Sequence, residues 1–128
     1  MNSTYQAPLN DSLFILREVL EWKTLFGYPE YQHVDDDLAC AVLTEGAKFA
    51  EEVLAPLNAV GDSQGSQLID GKVVTPEGFP EAYKQFSEAG WAGLDMSEEF
   101  GGQGLPMSVQ VAFAEMTNGA CLSFAMLP

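Results

Sequence analysis

Basic residues are scarce: 5 Lys and Arg stand against 19 Asp and Glu, for a formal charge of −14 over 128 residues. A polyphosphate track needs clustered cations to release counterions, so the composition argues against nucleic-acid binding. The same charge favours solubility and says little more. There is 1 histidine, His33, and there are 2 cysteines, Cys40 and Cys121. Without a Cys-x-x-Cys pair or a second histidine, no metal site is expected. Two distant thiols in apolar, helix-like surroundings suggest free cysteines in a cytoplasmic protein rather than a disulfide. No apolar run approaches the ~20 residues that span a bilayer, so no membrane association is expected. The N-terminus lacks a basic region followed by an apolar core, and Asn2 stands where myristoylation requires Gly.

What the chain does have is helical periodicity. Pro8 and Asn10-Asp11 read as an extended arm ending in an N-cap. Leu13, Leu16, Val19, Leu20 and Leu25 then predict an amphipathic helix from Ser12 to Phe26, closed by Gly27. Asp35, Asp36 and Asp37 place negative charge at the positive end of a second helix. Its apolar stripe is Leu38, Val42, Phe49, Val53 and Leu57, widened by Leu43, Ala50 and Leu54. Pro56 predicts a kink or stop at Ala55. Residues 61–78 carry Gly61, Gly65, Gly71 and Gly78 and read as a long loop, with Asp70-Gly71 able to turn a small hairpin. Pro80 suits the first turn of a third helix. Phe79, Tyr83 and Phe86 share one of its faces, Ala82, Phe86 and Ala89 another, and Gly90 ends it. After Pro106, the positions Val109, Ala112, Phe113 and Met116 predict a fourth helix. The fold class is therefore all-α, about five helices with a long Gly-rich loop.

The chemistry-bearing motifs are thin. Gly101-Gly102-Gln103-Gly104 fails the dinucleotide spacing, which needs a glycine where Met107 stands, and it follows no apolar strand. It reads as a tight turn. No serine has a suggestively placed histidine, and Glu98-Glu99 cannot face each other as a carboxylate pair. Glu115 reads as a carboxylate at a helix border. The closing run Gly119-Ala120-Cys121-Leu122-Ser123-Phe124-Ala125-Met126-Leu127-Pro128 is nearly all apolar. It suggests a piece of something larger, and the exposed face of residues 119–128 is expected to drive self-association or disorder.

Three runs in order carry a resemblance: Gly78-Phe79-Pro80-Glu81-Ala82-Tyr83; Ala89-Gly90-Trp91-Ala92-Gly93-Leu94; and Glu98-Glu99-Phe100-Gly101-Gly102-Gln103-Gly104-Leu105-Pro106. With Phe49-Ala50-Glu51-Glu52-Val53-Leu54-Ala55-Pro56-Leu57-Asn58 and Tyr5-Gln6-Ala7-Pro8-Leu9, they resemble the acyl-CoA dehydrogenase family, in particular its larger bacterial members. Ser97 stands where that family usually has Pro, and Glu115-Met116 occupies the later Glu-Met position. The resemblance implies that residues 1–128 are the family's N-terminal helical domain. Residues 1–34 would be an arm and helix and 35–128 the core helices, with the β-domain and C-terminal domain absent.

It further implies an FAD-dependent enzyme of fatty acid metabolism that oxidises the Cα–Cβ bond of an acyl-CoA, passes electrons to an electron-transfer acceptor, and forms a homo-oligomer. The catalytic glutamate and the flavin contacts of the family lie in later domains, so no catalytic or cofactor-binding residue is expected here. The chain alone would be inactive and bind little or no FAD. The family's N-terminal domain supplies one wall of the acyl pocket, which by the resemblance falls at Phe124, Ala125, Met126 and Leu127. The alternatives are a related flavoprotein of the alkylation-response type, or a free-standing helical interaction module.

Overall fold

The computed structural model describes residues 4–126 of the chain, and its first helix begins at a proline. The Pro8 carbonyl accepts the Ser12 amide at 2.9 Å and the Ser12 hydroxyl at 2.8 Å. Helix α1 therefore runs Leu9–Phe14, starting ahead of the expected Asn10-Asp11 cap. It widens into a π-turn at Ile15–Val19 and stops, well short of Phe26. The break is at Glu21, whose φ of 47° is left-handed. The tertiary reason is Trp22, which is 1% exposed and donates from Nε1 to Asp36 Oδ1 at 2.9 Å. Continuing α1 would not deliver that indole to the second helix, so residues Trp22–Gly27 form a separate 3-10 turn. A non-glycine residue in the left-handed region is strained. Glu21→Gly is expected to stabilise the protein by about 0.5–1 kcal/mol. A lowered midpoint in urea denaturation would count against that strain.

Asp35 caps α2 (Asp36–Phe49), accepting the Leu38 amide at 2.7 Å. The helix does not stop at Pro56. A π-turn at Ala50–Leu54 precedes the proline, and α3 continues over Ala55–Gln64. The wider turn accommodates the ring and the missing N–H, so a helical path survives a residue that usually ends one. Gly61, read as the start of a loop, lies inside α3. A Cβ there would come within 3.0 Å of the Phe79 ring, so its smallness serves packing rather than a turn. The buried line along these helices is Ala39, Leu43, Ala47, Ala50 and Leu54, while Leu38 is exposed.

The loop proper holds a hairpin, β1 (Gln67–Ile69) antiparallel to β2 (Lys72–Val74), with Leu68 opposite Val73. Asp70 and Gly71 both have positive φ, 50° and 74°, the geometry of the turn their sequence suggested. Helix α4 (Phe79–Glu88) has Pro80 in its first turn and buries Phe79, Ala82 and Phe86. Tyr83 and Ala89, which share helix faces with these residues, are exposed. Helix α5 (Met107–Ala120) buries Val109, Ala112, Phe113 and Met116, as their spacing requires, and a single turn, α6 (Leu122–Ala125), follows it.

The core lies between α5 and the α2–α3 column, with an aromatic layer added by α4 and the Trp91 turn. Phe113 stacks on Trp91 at 4.6 Å between centroids, and Phe86 lies between Phe113, Phe49 and Phe124. The architecture is all-helical apart from the two short strands. Both cysteines are free.

One charged cluster ties the N-terminal part to this core. Arg17 donates to both Asp36 oxygens, from Nε at 3.1 Å and Nη2 at 2.8 Å. These bonds hold the Asp36 carboxyl below the ordinary carboxylate range against an opposing cost of burial, and the Trp22 bond adds to them. A depressed folded pKa gives stability that is present above the unfolded pKa and is lost as pH falls through the folded one. Asp36→Asn is expected to cost about 1–2 kcal/mol near neutral pH. The gap between variant and parent should narrow below about pH 4, where the unfolded carboxyl takes up its proton. Chemical denaturation at several pH values checks this, and a gap that widens in acid would refute it.

Candidate functional site

Of the four residues expected to wall the acyl pocket, Phe124 and Ala125 lie on α6 and Met126 follows it, and the way α5 ends decides where these three point. Cys121 takes an extended conformation (φ −157°) while its amide still bonds the Thr117 carbonyl at 3.0 Å. The chain then turns once more, which sends Phe124 inward and Met126 outward. Phe124 is 2% exposed, edge-on to Phe86 at 5.8 Å and tilted against Phe79 at 6.2 Å. Ala125 is half-buried and Met126 is 76% exposed. Leu127 lies outside the described residues. Among the described residues of the closing apolar run, Ala120, Cys121 and Phe124 are turned inward, while Leu122 and Met126 are exposed.

Phe124 and Ala125 border a recess of about 110 Å³ whose other walls include Phe86, Ala92, Gln110 and Thr117. The Gln110 Oε1 atom is buried there without a hydrogen-bond partner. A second depression, about 240 Å³, lies between the π-turn after α1 and the first half of α5. Ile15, Leu16, Leu20, Val111 and Ala112 make it apolar, Glu115 sits in its wall, and the Ser108 hydroxyl is buried and unpartnered. Neither Gln110 nor Ser108 stands out in a reading of spacing. The available signal was that both are polar residues among the apolar ones of the first half of α5.

The Gly101–Gly104 segment is built for its own turn. The Gly102 amide bonds Ser97 O at 3.0 Å, Gln103 bonds Gly93 O at 2.8 Å, Gly104 bonds Met96 O at 2.9 Å and Leu105 bonds Leu94 O at 2.8 Å. Backbone donors spent this way cannot cradle a phosphate. His33 Nε2 lies 3.4 Å from the Gln103 carbonyl, packing the loop before α2 against this turn. Arg17 is paired with Asp36, Lys48 with Glu45 and Lys84 with Glu88. The turn thus offers a flavin diphosphate no free backbone cradle, and among the described residues no His, Cys, Asp and Glu cluster suits a metal ion. No helix among them is long and apolar enough to cross a membrane.

Glu115 is exposed on α5. Nearby, the Tyr5 hydroxyl donates to the Met116 carbonyl at 2.8 Å. Its pKa is raised, first by burial and then by the charges of Glu115 and Glu51. The Ala7 amide bonds Glu51 at 2.8 Å, so the N-terminal arm is pinned to both α5 and the α2–α3 π-turn. These contacts hold the arm in place and supply no acid–base pair aimed into either depression.

Residues 39–128 match the family described as acyl-CoA dehydrogenase, N-terminal domain. Over 125 residues the chain is 40% identical to 3-methylmercaptopropionyl-CoA dehydrogenase of Ruegeria pomeroyi, covering 98% of this chain and 21% of that protein. It is 33% identical over 121 residues to a broad-specificity linear acyl-CoA dehydrogenase of Mycobacterium tuberculosis, covering 92% and 20%. A butyryl-CoA dehydrogenase of Syntrophomonas wolfei is 30% identical over 131 residues, covering 98% and 21%. The chain spans about a fifth of the length of these relatives.

Proposed function

The chain belongs to the acyl-CoA dehydrogenase family, to its N-terminal domain, and from that premise we propose that it closes one side of the acyl pocket of a flavin-dependent dehydrogenase. The reaction is oxidation of the Cα–Cβ bond of a short acyl-CoA thioester, with the electrons passed on to an electron-transfer acceptor. The substrate class takes its support from relatives named for butyryl-CoA and 3-methylmercaptopropionyl-CoA.

The observation that carries the proposal is the placing of α6. Ala125 and Phe124 border one recess and the exposed Met126 borders another with Leu122 and Gly61, so one short turn offers both a rigid aromatic back and an open apolar edge. Apolar walls of this kind exclude water from a substrate and fix chain length by shape. Phe124 acts from behind, as the support against which Ala125 and Met126 are held. Leu127 is proposed as the continuation of the same wall. The catalytic base and the FAD site are assigned to the remainder of the full-length protein, since the residues here do not fit that group.

The test is to purify the full-length protein that carries this chain and follow flavin bleaching on anaerobic addition of butyryl-, pentanoyl- and methylthiopropanoyl-CoA. Bleaching by at least one of them is expected, with no activity and no bound flavin in residues 1–128 alone. A full-length flavoprotein that no acyl-CoA reduces would refute the proposal.

A further inference from the structure

We propose that the Gln110 carboxamide reads the far end of the acyl chain and selects for chains ending in a hydrogen-bond donor, a hydroxyl, over plain alkyl or thioether chains of equal length. This rests on the reading of α6 as the acyl wall. Phe124 and Ala125 are common to that wall and to the recess behind it, so a chain end passing Ala125 meets Gln110.

Gln110, Ala114 and Thr117 follow one another along the face of α5 that borders this recess. The other polar groups there are already engaged. Thr117 Oγ1 donates to the Ala114 carbonyl at 3.1 Å, and Asn118 Nδ2 donates to the same carbonyl at 2.6 Å. Gln110 differs, with Oε1 shielded from solvent and unpartnered among the described residues. The aromatic residues that share the recess with it, Phe86, Phe113 and Phe124, carry no N–H or O–H donor on their side chains. A recess of about 110 Å³ has room for a short chain terminus and little else.

The chemistry of selection follows. A glutamine carboxamide both donates and accepts, and its last torsion is soft, so it turns toward whichever polar group enters. A terminal hydroxyl satisfies the carbonyl oxygen, whereas a thioether sulfur has no hydrogen to donate and leaves it unpaired. An alkyl terminus fills the same volume and likewise leaves Oε1 buried and unpaired. Sites built around such a group discriminate against the analogue that lacks the partner. The discrimination is a penalty on the chains without a donor rather than a strong attraction for the hydroxyl.

The experiment uses the full-length enzyme and three chains of matched length: pentanoyl-CoA, 4-hydroxybutanoyl-CoA and 3-methylthiopropanoyl-CoA. In the parent enzyme kcat/KM is expected to favour the hydroxy chain over pentanoyl by about tenfold, with the thioether close to pentanoyl. In Gln110→Met and Gln110→Leu the three values should converge, chiefly through a lower KM for pentanoyl-CoA. A role for Gln110 in folding alone would move all three substrates together. An unchanged ratio in either variant with normal flavin content and Tm overturns the inference, as does a parent enzyme that prefers pentanoyl-CoA. Failure of the parent to oxidise any of the three strikes instead at the dehydrogenase reading.

Discussion

Gly102→Ala is expected to destabilise the chain by about 3 kcal/mol or more, the largest effect of any single methyl group added to it. A Cβ at this position would collide with the Met96 carbonyl group, which is backbone and cannot swing aside. Relief would require opening the turn, and that breaks the bonds from Gln103 to Gly93, Gly104 to Met96 and Leu105 to Leu94 together. Gly101 is the internal control. Its φ is 85°, but a Cβ there meets nothing within 4 Å, so Gly101→Ala should cost only the left-handed strain, ~1–2 kcal/mol. Thermal unfolding followed by circular dichroism should place Gly102→Ala ~10 °C below the parent, with Gly101→Ala between them. Equal losses in the two variants would mean that conformation, not close approach, explains the glycines.

Phe113→Ala should be nearly as damaging, at about 3–5 kcal/mol. Phe113 is 2% exposed, stacks on Trp91 at 4.6 Å and lies 6.3 Å from Phe86. Its removal leaves a hole between α5, α4 and the Trp91 turn that the helices cannot close without moving α5. Phe113→Leu keeps most of the volume and should lose about 1–2 kcal/mol. Because Trp91 loses its stacking partner, the alanine variant should also show red-shifted tryptophan emission before unfolding. A Phe113→Ala protein with parent-like stability and emission would mean that the aromatic layer is not the centre of the core.

Several elements were legible in the amino acids. The spacing of Val109, Ala112, Phe113 and Met116 marked the buried face of α5, and Asp35 marked the start of α2. Asp70-Gly71 marked the hairpin. In each case the information is local: a period, a cap or a turn residue acts within a few positions of itself. The failures share the opposite property. The first helix ended early because Trp22 is drawn to Asp36, and helix propensity carries no record of that partner. Pro56 did not stop its helix because the π-turn before it absorbed the clash. Gly61 looked like a loop residue because its packing partner, Phe79, is distant in sequence.

The candidate site divides the same way. Family resemblance pointed to residues 124–127 as the proposed wall, and the motifs offered no catalytic constellation to set beside it. Neither could say that Phe124 turns into the core while Met126 faces out, since that depends on the extended residue Cys121 between α5 and α6. Nor could they bring Gln110 to the recess behind Ala125. By itself, then, the sequence determined the helical class, the acidic surface, the turn chemistry and the family, all of which are written in neighbouring residues or in ordered motifs. Only the tertiary structure decided which apolar side chains remain open, which glycines are indispensable and which polar atoms lack partners. Those depend on surfaces meeting across long stretches of chain, where burial and close contact override local preference.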